Sequence, residues 1–332
     1  MRPAPPKERS IVQNTADTLP LDHLPADHAG GVALVERYRR KFHLSPSYPL
    51  TAEMVQRHWA LERRLARELL ETKPEERWDA FEAAYTTLYT SCPWLNEAED
   101  DAHTRNDDLD FRHFLTLLGG PQDVYEVGSG KARLLRYLAR HGYRCVATEV
   151  TRERGANWIE QDSNVTWKNS DGVHLAQFEP ADRYDSVIST HVVEHMHPDD
   201  VVTHMTNVCT ILKPGGKYVL SMPHKFAGPA DLSEVFGLNE PVCMHLREYG
   251  WGETADMLRQ AGFDRVEAVY IVPMAVRRRM NLHFASRAYL GYAKLVEAFL
   301  GRLPLTLNRK LGRVGQLYMF RPEVFVVAHK PE

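Results

Sequence analysis

The chain has 332 residues, a hydrophobic fraction of 43% and a formal net charge of −3, from 41 basic and 44 acidic side chains. This hydrophobic fraction supports a buried core and argues against a wholly disordered chain, and the length allows one large domain with additions or two domains. The near-balanced charge argues against a dedicated nucleic-acid-binding protein. The sequence contains no run of 18 apolar residues, which argues against a membrane-spanning helix.

The four cysteines are far apart in the sequence and form no Cys-x-x-Cys pair. This spacing argues against a zinc or dithiol motif and predicts free thiols in a reducing compartment. The first residues, Met1 to Lys7, lack the apolar stretch of a secretory signal. We therefore expect a cytoplasmic protein.

The first third of the sequence predicts a helical extension. Residues 1–30 have little apolar periodicity and are expected to form a mobile N-terminal segment. Over residues 31–118 apolar side chains recur at helical spacing, with Thr51 as the N-cap of one helix. Aromatic residues within 78–89 follow the same spacing, which favours packing over ligand binding. The acidic stretch 97–110 is interpreted as a solvated linker.

From Asp123 onward, short β-rich runs alternate with helical runs. Seven strands are predicted, at residues 123–127, 144–149, 165–168, 184–190, 216–222, 265–271 and 323–328. Helical stretches separate the first six, and this alternation indicates an α/β fold, with a doubly wound and mostly parallel sheet covered on both faces.

A glycine turn ends the first of these strands, and a helix begins at once. Gly128 and Gly130 let the backbone turn tightly and lie against a ligand, while the helix N-terminus offers free N–H groups. Glu149 ends the next predicted strand and is placed to accept hydrogen bonds from a ribose diol. A dinucleotide fold has a third glycine where this chain has Arg133, which argues against NAD or FAD. The alternative ligand is S-adenosylmethionine, an adenosine derivative that has no pyrophosphate.

Further motifs follow one another along the same part of the chain. They are Glu126–Gly130, Glu149, Ser170–Val173, Tyr184–Thr190, Val193–His195 and Leu212–Leu220. In this order and spacing they resemble the class I S-adenosylmethionine-dependent methyltransferases over roughly residues 123–271, with a last strand at 323–328. The resemblance implies a Rossmann-like seven-stranded sheet of order 3-2-1-4-5-7-6 with an antiparallel final strand. It also implies a methyltransferase domain over 119–332.

The resemblance implies where the cofactor binds. Gly128 and Gly130 would lie under its methionine part, with Glu126 at the ammonium group and Glu149 at the ribose hydroxyls. Asp171 would face the adenine amino group. The full implied set is Glu126, Gly128, Ser129, Gly130, Glu149, Val150, Asp171, Gly172, Val173, Thr190 and His191.

The segment His-Val-Val-Glu-His-Met-His at 191–197 directly follows the fourth predicted strand, where an acceptor would meet the methyl group. Three interpretations stay open: His195 or His191 is a general base, a divalent metal binds, or the segment only supports the cofactor loop. His191, Glu194 and His195 would be the metal ligands. This string resembles the Glu-x-x-Glu-His motif of some ubiquinone-pathway O-methyltransferases and small-RNA 2′-O-methyltransferases. Because His191 replaces the first Glu, we predict no metal. His224, after the fifth strand, is a further candidate for the same site.

Residues 272–322 form an insertion before the last strand, where the resembled family usually has a short turn. Up to Arg313 the insertion carries nine basic residues and one acid, Glu297. A predicted amphipathic helix over 281–300 suggests a helical lid on the ligand side. Whether the insertion binds the acceptor, a membrane surface or another subunit stays open.

Together these observations predict an S-adenosylmethionine-dependent methyltransferase that acts on a small or medium-sized metabolite, with O-methylation in a biosynthetic pathway favoured. The acceptor could be anionic or amphiphilic, and a homo-oligomer stays open. No nucleic-acid partner is expected. The alternatives are N- or C-methylation of an anionic or lipid-like acceptor, RNA 2′-O-methylation, and a noncatalytic cofactor-binding module.

Overall fold

The computed structural model describes residues 28–97, 106–154, 164–280, 282–315, 319–321 and 323–332. Most of the predicted mobile segment 1–30 therefore lies outside the described residues. Its last three residues are described and belong to the first helix, so the helical extension begins earlier than predicted.

The sheet has eight strands in the order β3-β2-β1-β4-β5-β8-β6-β7. The strands are β1 (Asp123–Val127), β2 (Arg144–Glu149), β3 (Val165–Asn169), β4 (Tyr184–Thr190), β5 (Leu212–Pro223), β6 (Arg265–Ile271), β7 (His283–Ser286) and β8 (Glu323–His329). The first five strands pair in parallel, whereas β8 runs antiparallel to both of its neighbours, β5 and β6. The predicted α/β class, strand order and antiparallel last strand are confirmed.

The insertion before β8 contributes the additional strand. The sequence predicts a helix over 281–300, but His283–Ser286 instead pairs antiparallel with β6 and forms the edge of the sheet. The helix begins only at Arg287, because the Ser286 hydroxyl accepts hydrogen bonds from the N–H groups of Ala288 and Tyr289 and so acts as its N-cap. The predictions of seven strands and of a continuous helix are both wrong at this point.

The longer helices connect and flank the strands. They are α1 (His28–Lys41), α2 (Ala52–Glu71), α3 (Arg77–Ser91), α4 (Asp107–Leu118), α5 (Arg133–Arg140), α6 (Val201–Ile211), α7 (Trp251–Gln260), α8 (Arg287–Leu300) and α9 (Leu305–Arg313). The Thr51 hydroxyl accepts a hydrogen bond from the N–H of Met54 at 3.2 Å, which confirms the predicted cap of α2. None of the described helices combines the length and hydropathy that a membrane span requires.

The extension has its own apolar core, which it shares with the segment after β5. Residues of α1, α2 and α3 pack with Leu232, Val235, Cys243 and Met244 in a cluster separate from the core of the sheet domain. This packing fixes the extension above the segment that leaves β5. The extension therefore lies where it can contribute to a site at the C-terminal ends of the strands.

The acidic residues before the sheet are part of the fold. Asp107 and Asp110 lie in the first turn of α4, and their carboxylates accept hydrogen bonds from Arg133 at 2.7 and 2.8 Å. Acidic side chains are favourable there because the N-terminus of a helix carries a partial positive charge. The prediction of a solvated linker over 97–110 is therefore wrong for 107–110, and residues 98–105 lie outside the described part of the chain.

Candidate active site

A cavity of about 580 Å³ lies where the C-terminal ends of β1, β2 and β4 meet the helical extension. Ligands of open α/β sheets bind at this edge, because the strand ends and the loops that follow them converge there. The sheet domain lines one part of the cavity, and side chains of α2 and α3 line another. The position is the one that the glycine turn predicts.

The loop after β1 is a tight turn that closely approaches its neighbours. Gly128 has a φ of +62°, and a Cβ atom there would lie 2.5 Å from Cγ2 of Val192. The N–H of Ser129 donates to the carbonyl of Thr148 at 2.9 Å, and the N–H of Gly130 donates to Oε1 of Glu149 at 2.5 Å. These bonds hold the loop against the end of β2.

Two carboxylates face the cavity beside this loop. Glu126 is buried, and its Oε2 has no hydrogen-bond partner among the described residues. Burial raises the pKa of Glu126 well above its usual range, and the charge of Glu149 raises it further. A buried polar oxygen without a partner is costly, so a ligand cation such as an ammonium group would satisfy it. These two acceptor groups therefore fit a cofactor with an amino-acid part and a diol.

Asp171 is already engaged by its own turn. Its Oδ1 accepts hydrogen bonds from the N–H groups of Val173 and His174, both at 2.9 Å, and its Oδ2 lies 2.6 Å from Nδ1 of His174. Asp171 nevertheless lines the cavity. It is one of ten predicted cofactor residues that do so, and Val173 is the eleventh, which does not.

The segment after β4 brings His191 and Glu194 together. His191 has a positive φ of 55°, and its Nδ1 lies 3.4 Å from Oε1 of Glu194. Its Nε2 lies 3.6 Å from Oε1 of Glu323, at the start of β8. Although burial opposes it, contact with the two carboxylates raises the pKa of His191 to about 9. This imidazole is therefore mainly cationic near neutral pH.

His195 has a different environment on the same cavity wall. Its Nδ1 donates to the carbonyl oxygen of Met244 at 2.8 Å, because a carbonyl only accepts. Burial, together with the neighbouring His245, lowers the pKa of His195 to about 4. The neutral ring therefore has its hydrogen on Nδ1 and a lone pair on Nε2.

His224 is not brought to the cavity wall. It is fully buried, its Nδ1 accepts from the N–H of Phe226 at 3.0 Å, and its Nε2 lies 3.9 Å from Oε1 of Glu297 in α8. Burial lowers the pKa of His224 to about 3. The structure thus separates His224 from His191 and His195 and orients it toward the insertion.

The group that could hold a metal also differs from the predicted one. Glu194 and His195 lie with His245, and one ligand atom of each lies within 4.8 Å of the others. His245 comes from the segment between β5 and α7, about 50 residues further along the chain. His191, the third ligand in the predicted set, is outside this group.

Sequence reasoning missed the part of the site that the extension contributes. Glu62 of α2 lines the cavity, and its Oε1 lies 2.7 Å from Nε2 of His58. The hydroxyl of Tyr38 lies 2.7 Å from Nδ1 of His58 and accepts a hydrogen bond from the indole of Trp94 at 2.7 Å. The signal was present in the sequence, because His58 and Glu62 occupy the same helix face as the apolar Leu65.

The insertion 272–322 does not supply any of the described residues that line this cavity. Its helix α8 packs against β6 and α7. Its predicted role as a lid over the acceptor stays a prediction.

Residues 101–268 match the model of a family described as a methyltransferase domain, whereas no curated protein matches the chain.

Three solved structures are among those similar to this chain. A 1,6-didemethyltoxoflavin-N1-methyltransferase from Burkholderia thailandensis is 18% identical, covers 79% of this chain and 92% of its own, and has a TM-score of 0.49. A SAM-dependent methyltransferase from Archaeoglobus fulgidus is 13% identical, with coverages of 68% and 95% and a TM-score of 0.46. A possible histamine N-methyltransferase from Thermotoga maritima is 14% identical, with coverages of 82% and 99% and a TM-score of 0.44.

The family match spans half of the chain and includes the glycine turn, Glu149 and the segment after β4. The chain therefore belongs to the methyltransferase-domain family and is a class I S-adenosylmethionine-dependent methyltransferase.

Proposed function

We propose that this enzyme transfers a methyl group from S-adenosylmethionine to an oxygen atom of a small or medium-sized metabolite in a biosynthetic reaction. The observation that carries the proposal is the cavity, which extends from the glycine loop to Glu62 and His195. Its volume of about 580 Å³ lies within the range of roughly 300–1,000 Å³ typical of small-molecule sites. A cofactor and a compact acceptor can therefore share it.

The cofactor would bind along the glycine loop. The unpartnered oxygen of Glu126 suits its ammonium group, and the carboxylate of Glu149 suits the ribose hydroxyls. Gly128 and Gly130 let the backbone approach the methionine part closely. The remaining residues proposed to contact the cofactor are Ser129, Val150, Asp171, Gly172, Thr190 and His191. When bound, the cofactor supplies a methyl group on a positively charged sulfur.

The acceptor would lie between the extension and the segment after β4. Phe81 and Tyr85 of α3 offer an apolar and aromatic wall, while Glu62 and His195 supply polar groups. An acceptor with an apolar body and a hydroxyl group fits this combination. Methyl transfer depends mainly on alignment of the nucleophile with the methyl group, which side chains on both sides of the cavity would provide.

His195 would activate the hydroxyl group. Because the Met244 carbonyl fixes the hydrogen on Nδ1, the Nε2 lone pair is the part of the ring that interacts with the acceptor. This orientation favours an oxygen acceptor, whose proton must leave during transfer. His191 and His224 are less suitable, since one pairs with carboxylates and the other lies away from the cavity.

Calorimetry and product analysis test the proposal. We expect the native protein to bind S-adenosylmethionine, and a screen of hydroxylated and amine compounds with labelled cofactor to yield an O-methylated product. His195→Ala should reduce turnover while the cofactor Kd stays within about twofold. If the native protein does not bind the cofactor, the proposed methyl transfer is overturned. If the product is methylated only on nitrogen or carbon, the proposal that oxygen is the acceptor atom is overturned.

A further inference from the structure

We propose that Glu62 is the centre of a subsite that binds a positively charged nitrogen group of the acceptor, such as an ammonium group. This inference deepens the proposed function and rests on it, because it names the class of acceptor. That class is a compound with an apolar body, a hydroxyl group and a cationic group elsewhere on the molecule. Glu62 lies in α2, outside the residues 101–268 that match the methyltransferase-domain family, so that match assigns it no role.

Glu62 is a buried carboxylate at the wall of the cavity. Only 6% of the residue is exposed, and its buried neighbours on α2 include the apolar Leu65 and Leu69. An ionised carboxylate is rarely buried without a partner, because it loses its hydration. Burial opposes ionisation here, but contact with His58 lowers the pKa of Glu62, so the carboxylate stays charged. Because Glu62 lines the cavity, a bound ligand can reach it.

The polar contacts behind Glu62 do not neutralise its charge. The indole of Trp94 donates to the hydroxyl of Tyr38 at 2.7 Å, and that hydroxyl lies 2.7 Å from Nδ1 of His58. Because an indole only donates, the hydroxyl accepts from Trp94 and its own hydrogen can be donated to Nδ1. The hydrogen of the His58 ring is then on Nε2, which lies 2.7 Å from Oε1 of Glu62. In this arrangement His58 is a neutral donor, and the carboxylate keeps its negative charge.

Two neighbouring imidazoles do not supply the missing positive charge. His195 shares the cavity wall with Glu62, but burial, together with His245, lowers its pKa to about 4, so its ring is neutral. His245 has its own carboxylate, since its Nδ1 lies 2.9 Å from Oε1 of Glu248. Among the described residues, no lysine or arginine forms an ion pair with Glu62. A cationic group of the ligand would therefore compensate this buried charge.

Aromatic side chains give the subsite a wall that also favours a cation. Phe42 and Tyr85 line the same cavity, and the ring centroid of Phe42 lies 5.7 Å from that of His58. Burial raises the pKa of Tyr85, and the charges of Glu149 and Glu62 add to the effect, so Tyr85 lies near both carboxylates. The faces of aromatic rings attract cations. An ammonium group suits this combination of rings and carboxylate better than a neutral or an anionic group does.

The subsite adjoins the proposed base, so one acceptor can occupy both. The ring centroids of Tyr85 and His195 are 6.3 Å apart, and the charge of Glu62 acts on both side chains. With its ammonium group at Glu62, an acceptor would direct its hydroxyl group to Nε2 of His195 and to the methyl group. Charge pairing would thus orient the acceptor, which is the alignment that methyl transfer requires.

Three probes with the same body and different terminal charges test the subsite. Tyramine, para-propylphenol and para-hydroxyphenylpropionate each carry a phenol and a short side chain, which ends in a cationic, a neutral and an anionic group, respectively. Each is titrated by calorimetry near neutral pH into the full chain saturated with S-adenosylhomocysteine, so that no turnover occurs. We expect the native protein to bind tyramine at least about tenfold more tightly than para-propylphenol and to bind the propionate most weakly.

Glu62→Gln preserves the shape of the side chain and removes its charge. In this variant the preference for tyramine over para-propylphenol should fall below about twofold, because an amide has no net charge to pair with the ammonium group. Glu53→Gln, an exposed residue of the same helix, is the matched control and should keep the native preference. A loss of packing alone would weaken all three probes together and leave their order unchanged.

Equal or tighter binding of either other probe than of tyramine, or no binding of all three, would overturn the subsite. An unchanged preference in Glu62→Gln would do the same. If this variant does not fold, as judged by circular dichroism, the order of affinities in the native protein decides. Calorimetry with S-adenosylmethionine separates the two proposals. Cofactor binding without a preference for the cation would reject the subsite alone, whereas absence of cofactor binding would reject the proposed function.

Discussion

The backbone N–H of Gly130 donates a hydrogen bond to Oε1 of Glu149 at 2.5 Å, which joins the loop after β1 to the end of β2. The N–H of Ser129 reinforces this junction by donating to the Thr148 carbonyl at 2.9 Å. The acid proposed to bind the ribose is therefore held in position before the cofactor arrives. Such preorganisation reduces the entropy lost on binding.

Glu149→Gln tests this carboxylate while preserving its shape. Replacing the charge removes charge-assisted hydrogen bonds, which contribute about 1.5–3 kcal/mol each, so the Kd for S-adenosylmethionine should rise roughly 10- to 100-fold. Calorimetry measures the change. Glu68→Gln, on the exposed face of α2, is the matched control and should leave the Kd unaltered. An unchanged Kd in Glu149→Gln would mean that this carboxylate does not bind the cofactor.

Gly128→Ala separates a steric effect from backbone strain. The new Cβ would lie 2.5 Å from Val192 and would also occupy a φ of +62°, so we expect loss of both stability and cofactor binding. Gly237→Ala is a close control, because its φ is +72° and no atom lies within 4 Å of the added Cβ.

Thermal unfolding and cofactor calorimetry measure both variants. The control should lose only the roughly 1–2 kcal/mol that a left-handed non-glycine residue costs and should bind the cofactor normally. If the two variants bind the cofactor equally well, the close approach of Gly128 to Val192 is not required for the pocket.

The sheet could be predicted because its signals are local. The alternation of strands and helices identified the strands of the sheet from β1 to β6 and the last strand, and the resemblance supplied their order. Strand β7 could not be recognised, because His283–Ser286 falls in a run whose apolar residues also fit helical spacing. Its partner, β6, decides its conformation, and that pairing is a tertiary interaction.

The two sides of the candidate site also differ in whether local sequence patterns could reveal their residues. The glycine loop and Glu149 are close in sequence and were identified together. Glu62 reaches the cavity only through packing of the extension, and His245 reaches Glu194 and His195 only through packing of the segment after β5. A charged residue on the apolar face of α2 was the available clue for Glu62. Nothing local distinguishes His245 from a surface histidine.

Glu62→Gln tests the acceptor side of the cavity. Although burial opposes it, contact with His58 lowers the pKa of Glu62, so the carboxylate is ionised near neutral pH and faces the cavity. Removing its charge should raise the KM for the acceptor about tenfold or more and leave the Kd for S-adenosylmethionine within twofold. Steady-state kinetics with the identified acceptor measures the effect.

Glu53→Gln, an exposed residue of the same helix, should change neither constant. The expected result separates an acceptor contact from a general loss of packing, because a packing defect would also weaken the binding of S-adenosylmethionine. An unchanged acceptor KM in Glu62→Gln would place the acceptor elsewhere.

Asp123, at the start of β1, should make stability depend on pH. Hydrogen bonds from Arg144 lower the pKa of Asp123 to about 2 from an ordinary 3.8, despite partial burial, and Arg183 contributes further. Because the pKa is lower in the folded state, the stabilisation is fully present above about pH 4 and is lost as the pH falls through 2. Asp123→Asn should therefore be less stable than the native protein at pH 7, and the difference should shrink as the pH falls from about 4 toward 2.

Urea unfolding at several pH values measures the free energy of unfolding of Asp123→Asn and the native protein. Asp264→Asn is an exposed control that should match the native curve. A stability difference that stays constant across this interval would show that the ionisation of Asp123 does not contribute to folding.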